Sequence, residues 1–271
     1  MRKVPNIQLY IVELAYNNED FYITNSENPH HLQLRTRSSP IWSKENMINI
    51  GIKKLLPPTW KAVAWIDADV EFDSPTWPLD TLKILNGYKD IVQLFTLAMD
   101  MDKGESTIRT FTSFGYNYER GAKYVLSGPD YWHPGFAWAI TRRGYEKMGS
   151  LYEHSILGSG DHNMALALVG NARISISSHI DTTYLSSIVE MESKMLNLRL
   201  GYVPGVIRHY YHGNKKNRKY KERWQILVKH KYAPAKHMTY NNDGLLIPTC
   251  ECPPELLTDI LNYFTERNED E

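Results

Sequence analysis

Two aspartates, Asp67 and Asp69, stand one residue apart where an apolar run, Ala62 to Ile66, ends in the stretch KAVAWIDADVEF. Side chains alternate along an extended chain, so the two carboxylates are expected to share one side. Like charges held together repel and lose hydration unless a cation lies between them. A divalent metal ion is the simplest such cation, although a lone D-x-D at a strand end is more often a pair of solvated turn residues. His209 and His212 follow a second apolar strand in HYYHG. An imidazole beside two carboxylates makes a mixed oxygen and nitrogen site, which suits manganese better than magnesium. Histidines at a tyrosine-rich strand end also occur as ordinary surface clusters.

Two further stretches carry chemistry. In GSGDHN, Gly158 to Asn163, small residues lead to Asp161 at a helix start. That aspartate is either a plain helix cap or a general base in a glycine-lined cleft. In YWHPGFAW, Tyr131 to Trp138, aromatic rings flank a Pro-Gly turn that offers a platform for a sugar face. Core packing accounts better for Phe136 and Trp138 than for Trp132. The basic run NKKNRKYKERW, Asn214 to Trp224, is either a solvated helix face or a neutralising surface for a diphosphate or an anionic acceptor. Phosphate-binding P-loops, the dinucleotide fingerprint and the serine-hydrolase elbow are all missing.

The elements that must position these groups read as alternating strands and helices. Ile7 to Leu14 is an expected strand, residues 16–40 a loop with a short strand at Leu32 to Leu34. Ser43 caps an expected helix that puts Met47, Ile48, Ile52 and Leu55 on one face, stopped by Pro57 and Pro58. The D-x-D strand follows, then a helix at Pro78 to Leu85 and a strand at Asp90 to Met99. Residues 100–132 lack periodicity and read as a long functional loop. Gly135 to Ile140 and the ARISISS stretch are expected strands. A short helix over TRRGYEKMGSL, another over GDHNMALALVG and one from Thr182 to Leu200 complete that region. The strand GVIRHYYHG, a helix at Arg218 to Lys231 and a tail helix from Pro253 close the chain. The alternation predicts an α/β class with a mixed, mostly parallel sheet flanked by helices. No linker stands out, so residues 1–250 read as one catalytic domain and 251–271 as a helical tail.

Composition narrows the classes. Of the 271 residues 42% are hydrophobic, enough for a large core, and the formal net charge is zero, so no global field draws in nucleic acid or membrane. Cys250 and Cys252 alone are too few for a disulfide framework or a structural zinc site. No apolar run reaches membrane-spanning length and no signal pattern is visible. A cytoplasmic location is expected, that of an infected host cell included.

In their order along the chain, these motifs resemble the GT-A nucleotide-sugar glycosyltransferases. The likeness is to the β1,4-galactosyltransferase and polypeptide N-acetylgalactosaminyltransferase group, in a soluble viral or phage-like form. It spans Trp42 to about Leu246 and rests on KENMINIGIKKL, WIDADVEF, HPGFAWAITRRGYEKMG, GSGDHN and IRHYYHGNKKN with the later DGL. The resemblance implies a hexosyltransferase that moves a sugar from a nucleoside-diphosphate sugar, UDP-linked by preference, to an acceptor hydroxyl, inverting the anomeric centre. It implies Mn²⁺ (or Mg²⁺) held by Asp67, Asp69 and His209. Donor contacts fall to Asp67, Trp132, His133, Gly135, His212 and Lys215, and Asp161 is the base. A glycan, a protein or a modified DNA base is the expected acceptor. His162 replaces the second acid of the family's acidic pair, which leaves inverting against retaining chemistry open. The first expected strand resembles the family's second, so the first βα unit is expected to be missing, with a partner chain or a second copy covering that edge. Two rivals remain: a degenerate transferase that only binds, and a metal-dependent phosphodiester hydrolase.

Overall fold

A computed structural model describes residues 7–125, 127–128, 130–213 and 222–267. The chain begins with β1 (Ile11–Tyr16), β2 (His31–Thr36) and α1 (Lys44–Lys54). β3 (Ala62–Ile66) and β4 (Val70–Phe72) bracket the D-x-D turn, and α2 (Trp77–Leu85) follows. Next come β5 (Ile91–Gln93), β6 (Leu97–Met101), β7 (Thr107–Ser113), α3 (Phe114–Glu119), β8 (Trp132–His133), β9 (Ala137–Thr141) and α4 (Arg142–Met148). α5 (Gly160–Leu168), a 3-10 turn (Ala172–Ser175), α6 (Thr182–Met195), β10 (Leu200–Tyr202) and β11 (Val206–His209) lead to the final segment. That segment holds α7 (Glu222–Lys229), α8 (Pro234–His237), β12 (Met238–Tyr240), β13 (Leu246–Pro248) and α9 (Pro254–Arg267). No helix among the described residues is long and apolar enough to cross a membrane.

Two compact units share this chain. Thr59–Gly149 and Met195–His212 make up the body of the first; Leu9–Pro58, Ser150–Lys194 and Gly213–Glu271 make up the second. Because the units take turns along the chain, no linker marks a boundary, and the expected break at residue 250 falls inside the second unit.

The first unit carries two sheets, ordered β10-β5-β9-β3 and β4-β11-β6-β7-β8. Val92, Leu94, Phe95, Ala98, Phe111, Ala137, Ala139, Val203 and Ile207 fill one buried cluster in it. Burying each Val, Leu, Ile or Phe of such a cluster stabilises the fold by about 1.5–3 kcal/mol. In the second unit, β1 pairs with β2 in parallel and β12 with β13 in antiparallel. Leu34, Ile50 and Leu245 form a small core there.

The α/β class with mixed sheets is as expected, but the sheets are not mostly parallel. The pairs β3–β9, β5–β9, β4–β11, β6–β7 and β12–β13 are antiparallel. Residues 100–132 are not one long loop, for β7, α3 and part of β8 lie in them. Asp102 nucleates the β6–β7 turn, its Oδ1 accepting from the amides of Gly104 and Ser106 at 2.9 Å. The run Asp90 to Met99 is two strands in different sheets. ARISISS begins with a 3-10 turn in place of a strand, because Glu192 Oε2 accepts from the Ala172 amide and Ser175 Oγ donates back to the Ala172 carbonyl. The helix expected to reach Leu200 stops at Met195, and β10 takes over. β1 starts at Ile11 in place of Ile7. Ser43 stands at the start of α1 without capping it, since its hydroxyl donates to the Ile41 carbonyl at 3.1 Å.

Candidate metal centre

The apolar strand β3 ends at Ile66, and the chain turns at once. The Val70 amide donates to the Asp67 carbonyl at 3.2 Å, and the Asp67 amide donates to the Phe136 carbonyl at 2.8 Å. Strand alternation therefore stops before the second aspartate. Asp69 alone joins His209 and His212 in a group whose ligand atoms lie within 4.8 Å of one another. Asp67, expected among the ligands, is outside that group.

Pairing of β11 explains the convergence. His209 faces Val70 across the antiparallel β4 and Asp100 across the parallel β6. One residue on, the Tyr210 amide donates to the Asp69 carbonyl at 2.9 Å, which ties the D-x-D turn to the end of β11. Asp69 Oδ2 then lies 3.3 Å from His209 Nε2 and 2.8 Å from His212 Nε2. The two imidazole nitrogens are 3.2 Å apart. Ligands bound to one ion at about 2.1 Å stand about 3.0 Å apart at right angles and about 3.4 Å apart at the tetrahedral angle. Two sides of the observed triangle, 3.2 and 3.3 Å, fall between those spacings, and the third, 2.8 Å, is slightly shorter. Asp69 Oδ1 is buried with no hydrogen-bond partner, an expensive arrangement for a carboxylate oxygen unless a cation is its partner. One carboxylate and two imidazoles suit a borderline divalent transition metal better than magnesium or calcium.

Charge in the cluster agrees with this. Burial works to raise the Asp69 carboxyl, but hydrogen bonds and charge from His209 and His212 hold it well below the ordinary carboxylate range. At His209 burial disfavours the imidazolium, yet the Asp100 and Asp69 carboxylates on either side outweigh it and raise its pKa. Metal binding by such a set would release whatever protons its ligands carry.

The wall of the site is aromatic. Phe136 has φ of 81°, a left-handed conformation that costs a non-glycine residue of order 1–3 kcal/mol. Its ring stacks on His133 at 3.9 Å and leans on His209 at 4.5 Å. Gln93, fully buried, donates to the carbonyls of His133 and Gly135 and so pins that turn. Trp132 is no sugar platform. It is 5% exposed and packed edge-on against Phe114 and Tyr124, both at 5.3 Å. Lys215 lies outside the described residues.

Asp161 belongs to the second unit. It does not cap α5. Ser159, at φ of 84°, holds the cap position, while Asp161 sits in the first turn with Oδ1 accepting from the His162 amide at 2.8 Å. Arg223 donates to the Ser159 hydroxyl and to the Leu157 carbonyl. Beside this turn stands a carboxyl group that sequence reading passed over. Glu45 is 8% exposed and accepts from Trp42 Nε1 at 3.0 Å. A Cβ at position 160 would collide with Glu45 Oε1, so glycine is what lets the helix start approach the acid. Burial, partly opposed by Lys44 and reinforced by the negative charge of Asp161, pushes the Glu45 carboxyl up to about 7. Asp100 was missed as well. For Asp100 the signal was a lone charge inside the apolar strand LAMDM; Glu45, flanked by Lys44 and Asn46, carried none.

Compared with protein-family models, with curated proteins and with solved structures, the chain matches none.

Proposed function

We propose that this chain is a metal-dependent glycosyltransferase that uses a nucleoside-diphosphate sugar. The observation that carries the reading is the triangle of Asp69, His209 and His212, with an orphaned buried carboxylate oxygen, at the end of a D-x-D strand. Asp69, His209 and His212 would hold the Mn²⁺. When bound, the ion supplies charge that stabilises the departing nucleoside diphosphate. The residues around it keep the site shaped: Gln93 fixes the 133–135 turn, and Phe136 holds the His209 ring. Asp161 takes the role of base from the resemblance to the GT-A enzymes, and a carboxylate in that role contributes roughly 10²–10⁴-fold.

The same donor set, one carboxylate and two imidazoles on one face, also suits iron(II) in an oxygenase. One experiment separates these readings. Wild type and Asp69→Ala are titrated with Mn²⁺ by calorimetry, then assayed for nucleoside diphosphate release from a panel of nucleotide sugars. Mn²⁺ binding and Mn²⁺-dependent release that both vanish in Asp69→Ala are expected. Equal Mn²⁺ binding by the two proteins would remove the site. Turnover that needs Fe²⁺ and O₂, with Mn²⁺ inert, would decide for an oxygenase, and cleavage of phosphodiesters without any nucleotide sugar would decide for a hydrolase.

A further inference from the structure

We infer that Asp100 is a positioning residue for the metal, a buried carboxylate that sets the tautomer and ring plane of His209 so that Nε2 faces Asp69 and His212. The inference rests on the metal reading above and adds a residue that neither the D-x-D nor the histidine motif contains. Asp100 is 2% exposed, and its Oδ1 lies 2.8 Å from His209 Nδ1. His209 is itself 5% exposed, so both groups have left water and depend on each other. They are direct partners across parallel β6 and β11, where side chains of paired residues project to the same face. The carboxylate can only accept, so a hydrogen bond to it keeps a proton on Nδ1. Nε2, the nitrogen on the metal side, is then left with a lone pair once its own proton goes.

On the side away from Asp69 and His212, two contacts hold this imidazole: Asp100 at Nδ1 and the tilted Phe136 ring at 4.5 Å. A histidine that ligates a metal typically gives its second nitrogen to such an acceptor, and removing the acceptor costs about 10–100-fold in metal affinity. The register shift between β6 and β7 falls at Asp100 and Met101, immediately after the residue that must face His209. A bulge at that point lets the hairpin depart without disturbing the β6–β11 pairing.

The test has two independent readouts on the whole chain. The first is nitrogen-15 NMR of the metal-free protein at a pH above the histidine titration. Wild type is expected to show His209 as the Nδ1–H tautomer, and Asp100→Ala to show loss of that preference. The second is titration with Co²⁺ alone, followed by its visible spectrum. Asp100→Ala is expected to bind roughly 10–100-fold more weakly with an altered spectrum. Asp100→Asn, which keeps an acceptor oxygen but loses the charge, should retain the tautomer and fall between the two. If Asp100→Ala does not fold, Asp100→Asn carries the affinity test by itself, and Co²⁺ affinity equal to wild type overturns the inference. In a folded Asp100→Ala, an unchanged tautomer with unchanged affinity overturns it too. Failure of wild type to bind Co²⁺ overturns the metal reading and with it the positioning role, whatever the NMR shows.

Discussion

Glu45→Gln should change how stability depends on pH, and by an amount the structure allows one to work out. The Glu45 carboxyl is pushed up to about 7 from an ordinary value of 4.5, and burial is the main cause. An acid whose pKa is raised on folding holds a proton in the folded state that the unfolded chain has already released. Its contribution is complete below the unfolded value and is lost as pH rises through the folded one. The gap of about 2.5 pKa units corresponds to about 3 kcal/mol at 1.36 kcal/mol per unit. Glutamine has nearly the same shape, can still accept from Trp42 Nε1, and never ionises. Urea unfolding of both proteins is to be followed from about pH 4 to about pH 8, reading the transition that exposes position 45. Whatever constant offset the amide introduces, wild type should lose stability relative to Glu45→Gln across that range, by about 3 kcal/mol at the alkaline end. The neighbouring charges tune the size, since Lys44 favours the carboxylate and Asp161 opposes it. Parallel profiles for the two proteins would show that Glu45 is ionised and hydrated in the folded state, and the burial argument would fail.

Two other perturbations follow from the same structure. Glu13 accepts from the Tyr22, Ile23 and Thr24 amides and from the Thr24 hydroxyl, and these bonds, the hydroxyl first, hold its pKa at about 2. A lowered carboxyl stabilises above its unfolded value, so the 22–24 loop should loosen as pH falls from 4.5 toward about 2, read as faster amide exchange at those three residues. Glu13→Gln should show that fast exchange already at neutral pH. Asp161→Asn should lower sugar transfer by about 10²-fold or more if Asp161 is the base, with melting temperature and Mn²⁺ binding near wild type. Retained turnover would remove Asp161 from catalysis.

Elements with clear periodicity were legible and their ends were not. The D-x-D strand at Ala62 to Ile66 and the tail helix stand where the apolar pattern puts them. The run from Asp90 to Met99 looked like one strand because it is apolar throughout. What divides it is a change of backbone partner. The Leu94 amide donates to the Ala137 carbonyl, and the Thr96 amide donates to the Gly205 carbonyl, so the chain passes from one sheet to the next within three residues. No composition signal marks that crossing, since Phe95 between them is fully buried. β7 was invisible for the opposite reason. Thr107 to Thr110 are exposed, and a strand exposed along half its length lacks the alternation that betrays a strand.

The candidate site shows the same division between what local pattern carries and what register carries. His209 and His212 are three residues apart, and their types and place after a strand mark them as site candidates, His209 as an expected ligand and His212 as an expected donor contact; the structure puts both beside Asp69. Asp69 is marked by the D-x-D. The expectation that Asp67 shares the site assumed that extended geometry runs on through residue 69, and the turn at Asp67 breaks it. Asp100 comes 109 residues before its partner His209 and reaches it only because β6 and β11 pair in one particular register. A slip of one residue would turn that carboxylate to the opposite face of the sheet. The cost of leaving His209 and Asp69 buried without their partners is what opposes such a slip. The Asp69, His209, His212 and Asp100 cluster and the sheet register therefore support each other: the register brings these side chains together, and their burial disfavours a register that would separate them.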